Sequence, residues 1–265
     1  KIMKFLIVAY RLDPAGMNIF RQLLQFGSFD TYLCDKPIVF TENLNLEKIN
    51  KYDFIIFASK HQSESKEKTL SVHPTGNWTS ADYGGERKKV SMSSAVLLKQ
   101  IFQELNKNYQ ESSLKDFSVT MEATHHGPLL NKPSLFIEIG STIQEWENLK
   151  AGFIIAKTIS NIINNFKHNP YNEIAIAIGG PHYCPSFNKI QLNTNIAVSH
   201  IIPSYALPLD EIMLQEAISK TFEEDIEFVL LDWKGLGNSF ARQQLIEILE
   251  KMKIRYVKTS DIEKS

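Results

Sequence analysis

The sequence predicts a three-layer α/β/α fold built on a mixed, mainly parallel sheet. Short apolar runs of strand length alternate with amphipathic helical segments from one end to the other. No internal repeat, low-complexity tract or Gly/Ser linker divides the chain. Its 265 residues, 43% hydrophobic and 22% charged, can bury one large core. The expectation is a single compact catalytic unit over residues 1–265, with residues 60–85 as a candidate elaborated lobe.

Residues 5–9 read as a buried first strand, and Pro14 starts a helix, being tolerated in a first turn. Residues 53–59 form a second strand and residues 60–68 a polar loop. From Thr69 the pattern is strand-like until Gly76-Asn77, a pair that tolerates positive φ. Apolar spacing predicts a helix over 94–105. Phe117, Val119 and Met121 alternate with Ser118, Thr120 and Glu122, the period of a half-buried strand. Residues 135–139 are the next strand. Thr142 and Glu145 have capping-box spacing for a helix running to about residue 165. Strands follow at 173–178, 197–202 and 227–231, with a last short one at 255–257. Helices are expected at 210–219 and 243–252.

The longest apolar runs are far too short to cross a bilayer as a helix, and no secretory signal follows Lys1. A cytoplasmic protein, not bound to membrane, is expected. Two cysteines, Cys34 and Cys184, exclude a disulfide framework or a four-cysteine metal module. A net charge of −1 excludes bulk attraction to nucleic acid. An RNA partner would need a local basic surface. Lys60-His61, Arg87-Lys-Lys89 and the tail cations Lys251, Lys253, Arg255 and Lys258 are the candidates.

Six of seven histidines fall at or just past expected strand ends: His61, His73, His125, His126, His182 and His200. Ligands of α/β sheets bind beyond the carboxyl ends of strands, so this grouping points to a shared site. Glu122-Ala-Thr-His-His-Gly-Pro128 ends a strand in two imidazoles that point different ways, so one is expected in a given pocket. Imidazole serves as a general base near neutral pH or as a metal ligand. Gly179 and Gly180 close an apolar strand, where their N–H groups could face an oxyanion or phosphate, with His182 and Tyr183 beside them. The alternative there is a tight structural turn. His73, Thr75, Gly76, Asn77 and Trp78 offer polar recognition groups and an indole able to stack on a base. The alternative is a structural turn over a core tryptophan. Glu138 interrupts an apolar strand and needs a partner, either an ion pair or a site role. There is no His-Glu-x-x-His helix, Walker loop or Gly-x-Ser-x-Gly elbow.

Together these segments resemble the archaeal and plant D-aminoacyl-tRNA deacylase family. The matching pieces run in the family's order: Phe57-Ala-Ser-Lys-His61, His73-Pro-Thr-Gly-Asn77, Glu122-Ala-Thr-His-His-Gly-Pro128, Phe136-Ile-Glu-Ile-Gly-Ser-Thr142 with Glu145-Trp146, Gly179-Gly-Pro-His-Tyr183 and His200-Ile-Ile-Pro-Ser-Tyr-Ala206. Asp232-Trp-Lys-Gly235 extends the likeness toward the end of the chain. Pro181 stands where the family has a third glycine and lacks an N–H, so its own backbone cannot hold an oxyanion. Cys184 stands where alanine is common.

The resemblance implies a phosphorylase/hydrolase-like fold, hydrolysis of D-aminoacyl-tRNA as proofreading, and zinc dependence. The reading that follows takes aminoacylated tRNA as partner and the chain as a monomer. His126 or His182 would be the base for water, with Glu122 or Glu138 orienting an imidazole. His73, Thr75, Gly76, Asn77, Trp78, Gly179, Gly180, Tyr183 and Lys60 would contact substrate. His125, His182 and His200 would be the metal ligands. Two alternatives stay open here: a nucleoside phosphorylase-like enzyme or zinc-dependent amidase, and a non-catalytic protein that binds the tRNA end.

Overall fold

The computed structural model describes residues 2–42, 46–168, 170–222 and 224–262. In chain order the elements are β1 (Phe5–Tyr10), α1 (Pro14–Leu23), β2 (Thr31–Cys34), α2 (Leu46–Ile49), β3 (Phe54–Gln62), β4 (Thr69–His73), β5 (Gly76–Asn77), β6 (Lys89–Val90), α3 (Ala95–Gln110), β7 (Ser118–Met121), β8 (Ser134–Ser141) and α4 (Ile143–Trp146). They continue with α5 (Leu149–Asn165), β9 (Glu173–Ile178), α6 (Pro185–Asn193), β10 (Ile196–Ile202), α7 (Glu211–Ser219), β11 (Phe228–Leu231), α8 (Ser239–Lys251), β12 (Tyr256–Lys258) and α9 (Thr259–Ile262).

Side-chain caps set most helix starts. Asp13 accepts from the Gly16 N–H, Ser94 from Leu97, Asp210 from Met213 and Asn238 from Ala241, each quenching a free donor of a first turn. The helix expected from Thr142 onward is two helices. Glu145 accepts from the Thr142 N–H to start α4, and Asn148 then caps a fresh helix by accepting from Lys150 and Ala151. The strand β2 and the helix α6 were not expected. The first is only four residues long and mostly part-exposed; the second opens with Pro185 soon after the Gly179-Gly180 turn.

The strands form a mixed six-stranded ladder, β2-β1-β3-β8-β4-β7, and a parallel four-stranded one, β10-β9-β11-β12. Within the first, β4 runs antiparallel to β8 while β3 runs parallel to it. The ladders meet where the segment after β7 crosses to β10: the Thr124 N–H donates to Ile201 O at 3.0 Å. There β10 carries a register shift between Val198 and Ile201. Of residues 60–85, 60–62 and 69–73 are strands of the six-stranded ladder, so the loop expected from residue 60 starts later.

Period-2 alternation sorts each strand between two cores. Ile7, Ile56, Ala58, Leu70, Val72, Ile137 and Ile139 pack with the apolar residues of α1, α3 and α5. Leu6, Val8, Ile55, Phe57 and Phe136 pack on the other face against Ile38, Ile49, Tyr52 and Leu130. A separate cluster joins Ile176, Ile178, Val229 and Leu231 to α7 and α8. Among the described residues, no helix is long and apolar enough to cross a membrane.

Candidate active site

Alternation along three adjacent strands builds a polar chamber on the face opposite α1, α3 and α5. Phe57, Ser59 and His61 share one side of β3, Phe136 and Glu138 one side of β8, and Ser71 and His73 one side of β4. Ser59 and Ser71 both pair with Glu138, which is therefore the centre of the group. Because β4 opposes β8, His61 and His73 arrive from opposite directions along the sheet. The histidines thus gather over a sheet face, around a mid-strand carboxylate, instead of beyond one row of strand ends.

The remaining groups come from two loops. The Glu122 N–H donates to Val72 O and the Ala123 N–H to His182 O, which presses the segment 122–126 against the chamber. His126 adopts a left-handed φ of 41°. Glu122 Oε2 lies 2.8 Å from His182 Nε2, 3.2 Å from His61 Nδ1 and 3.5 Å from His125 Nε2. Glu138 Oε2 lies 3.5 Å from His61 Nδ1 and 3.4 Å from His73 Nε2. Both carboxylates are buried. Ring centroids are 4.1 Å apart for His73 and His125, 4.3 Å for His125 and His126, and 4.6 Å for His125 and His182. Phe136 stacks on His73 and meets His126 edge-on.

Hydrogen bonds fix which nitrogens are free. His73, His125 and His126 each donate from Nδ1 to a backbone carbonyl, of Pro74, Ala123 and Gly127, at 2.9, 2.8 and 2.6 Å. That leaves each Nε2 turned to the chamber. A carboxylate only accepts, so His182 carries its proton on Nε2 toward Glu122, and Nδ1 accepts from the Tyr205 hydroxyl at 3.1 Å. Tyr183 lies 3.0 Å from His61 Nε2.

The charges follow from these contacts. Burial opposes protonation of His61, but the approach of Glu138 and the charges of Glu122 and Glu138 outweigh it and raise the imidazole to about 9. His73 is raised against its burial by Glu138 and Glu122. Burial acts to raise Glu122 and Glu138, yet both are held below the ordinary range, Glu122 first by His182 and Glu138 first by His61. Burial, with the neighbouring His73, lowers His126 to about 4 and His125 well below its usual value. The chamber therefore holds two neutral imidazoles, His125 and His126, beside two anionic carboxylates whose charge favours the protonated forms of His61 and His73.

Among the described residues, three donor groups have ligand atoms within 4.8 Å of one another: His73 with His125 and His126, Glu122 with His125 and His182, and His61 with Glu122 and Glu138. Glu122 Oε1 is buried without a hydrogen-bond partner among the described residues. His73 Nε2 has only the long 3.4 Å approach to Glu138, beyond the usual N–H···O range.

Several expected contacts are corrected by position. His200 is fully buried, with Nδ1 against Thr124 Oγ1 and Nε2 at 3.1 Å from Ser91 O, so both nitrogens are engaged and it joins no donor group. Burial lowers it to about 4. Trp78 is a core residue that donates its indole N–H to Thr124 O, which leaves no ring face for a base. Asn77 spends its amide on Gly84 O, and Thr75 donates to Pro128 O. Gly76 packs on Val90. The Gly179 and Gly180 N–H groups donate to Ile202 O and Gly235 O, so neither is free for an oxyanion. Lys60 leaves by the opposite face and lies over the Trp146 ring. Glu122, His125, His126, Glu138, His73, His182 and Tyr183 do converge. His61 and Tyr205 belong with them. The signal for His61 was the Phe57-Ser59-His61 alternation, which continues the strand past residue 59.

A family model described as D-aminoacyl-tRNA deacylase matches residues 48–257. A D-aminoacyl-tRNA deacylase of Pyrococcus abyssi is 34% identical over 275 aligned residues, covering 95% of this chain and 98% of that protein. One from Methanocaldococcus jannaschii is 35% identical, covering 92% and 95%. A crystal structure described as a conserved protein of unknown function superposes with a TM-score of 0.89 at 28% identity, over 99% of this chain and 98% of that one.

Proposed function

Since this chain belongs to the D-aminoacyl-tRNA deacylase family, we propose that it hydrolyses the ester between a D-amino acid and tRNA within the histidine–glutamate chamber. The observation that carries the reading is the convergence of five imidazoles on two buried carboxylates in a chain of this family. Water supplies the oxygen that bonds the acyl carbon, and the bond to the ribose oxygen breaks. The proton lost by water goes to an imidazole and returns to the departing ribose oxygen. The ester is already reactive, so placing one water and stabilising one oxyanion suffices.

Glu122 sets the tautomer of His182, whose Nδ1 faces the partly exposed side of the chamber beside Tyr205. His126 is the second base candidate: its Nδ1 proton is held by Gly127 O, and it is neutral at pH 7 with Nε2 free. Tyr183 and His61 form the wall nearest Glu122. Gly179 and Gly180 support the loop without donating to the oxyanion, so that stabilisation falls to imidazoles or a cation.

Zinc fits the residues present. Ligating histidines commonly donate their other nitrogen to a backbone carbonyl, as His73, His125 and His126 do here. Those three, or Glu122 with His125 and His182, would hold it. Bound there, zinc would lower the pKa of a water and polarise a carbonyl. The test is loss of ester from D- and L-tyrosyl-tRNA, with and without a chelator. Cleavage of the D-ester, with the L-ester spared and activity lost on chelation, is expected. An intact D-ester would overturn the reading; full activity after chelation would remove zinc from it.

A further inference from the structure

The sorting of surface charge singles out one ridge beside the chamber. Several of the cations singled out in the sequence are neutralised: Lys88 pairs with Asp210, Lys251 with Glu211 and Arg255 with Glu173. The cations around Trp233 are different. Lys258 Nζ lies 3.9 Å from the centre of the Trp233 ring and the Arg242 guanidinium carbon 5.4 Å from it. Lys234 is exposed on the same turn. Among the described residues, no carboxylate pairs with Lys234, Arg242 or Lys258, and Arg242 Nε is buried without an acceptor. Asp232, the acid of that turn, is committed to the Gly235 N–H and the Ser186 hydroxyl.

The ridge is continuous with the chamber. Trp233 follows β11 and Lys258 ends β12, which pairs with it in parallel. The Gly180 N–H donates to Gly235 O at 3.0 Å, and His182 lies two residues further on. An added Cβ on Gly235 would sit 2.3 Å from Gly180 N, so the two loops touch with no room between them.

We infer that Arg242 and Lys258, ordered on Trp233, form with the exposed Lys234 a phosphodiester-docking ridge that holds the backbone of RNA while its 3′ end enters the chamber. This rests on the reading of tRNA as substrate. An indole face orders a cation without neutralising it, so less side-chain freedom is lost when a phosphate binds. Arginine adds the two-pronged geometry that phosphate accepts. With a net charge of −1, attraction to RNA must come from such a local surface.

The experiment uses the whole chain and unacylated tRNA, with binding followed by fluorescence anisotropy at several salt concentrations. Arg242→Gln with Lys258→Gln should weaken binding ~10-fold and reduce the salt slope by about 1 for each cation removed. Arg242→Lys with Lys258→Arg should restore most of it. Lys36→Gln with Lys107→Gln, an equal loss of charge elsewhere, should leave both values as in the parent. Melting curves check that each variant is folded. An unchanged slope in the folded Arg242/Lys258 variant would overturn the ridge, as would an equal drop in the Lys36/Lys107 control. A parent chain that binds tRNA through these cations yet leaves D-esters intact would count against the hydrolytic reading alone.

Discussion

Glu122 at 2.8 Å fixes the orientation of His182, so its Nδ1, which accepts from the Tyr205 hydroxyl at 3.1 Å, meets a water in one orientation once that hydroxyl turns away. Its replacement by alanine should reduce deacylation about 10²-fold or more, and His126→Ala should do the same. Glu122→Gln keeps the volume and removes the charge that fixes the His182 tautomer. Its kcat should fall by a comparable factor with KM little changed, measured on D-tyrosyl-tRNA. Near-parental rates in folded His126→Ala and His182→Ala variants would take the base role from both. At this scale the sequence showed which residue types mattered better than where they go. The alternation that puts Glu138 beside His61 and His73 is local and legible. That β4 opposes β8 is not, because pairing direction lies in contacts between strands far apart in the chain. Trp78 and His200 were misplaced for a related reason: a buried indole or imidazole is spelled the same way whether it faces a ligand or a carbonyl.

The elements are bound by close contacts that tolerate little addition. On α5, a Cβ at Gly152 would lie 2.3 Å from Asn18 Oδ1 of α1. Asn18 donates to Trp146 O and Asn148 O, tying α1 to the break between α4 and α5. Gly152→Ala gains at most about 1 kcal/mol in helix propensity. Displacing Asn18 breaks two part-buried hydrogen bonds at ~0.5–1.5 kcal/mol each, so net destabilisation of up to about 2 kcal/mol is expected in urea unfolding. A stabilised variant would show that the helices can separate. Gly180→Ala, at φ +78° and 2.9 Å from Asp232 Oδ2, should lose a similar amount. Most strands and the capped helices were legible because their signals are local. The split at Asn148 was not, since a helix-forming pattern runs through it and only the Asn148 cap marks the new start.

Across the molecule, one buried cation joins distant parts of the chain. Lys99 of α3 is fully buried and donates to Thr194 O and Ile196 O at 2.7 Å, just before β10. Burial lowers it to about 8 from an ordinary 10.5. Between these values the unfolded chain binds the extra proton, so the stability this group contributes rises as pH climbs from about 8 to 10.5. Relative to a Lys99→Met variant, the native chain should gain on the order of 3 kcal/mol across that window. Urea melts at pH 7.5, 9 and 10.5 would measure the difference, and a flat profile would refute it.

The join between the two ladders runs through the Ala123 and Thr124 amides, directly behind the imidazoles of the next two residues. A molecule gripped by those rings therefore acts as a rivet across the seam, adding to the main-chain bonds of Ser93 with Lys220 and Phe222 and to the apolar core that both ladders share. Deuterium uptake at Ala123 and Thr124 should slow when the chamber is filled.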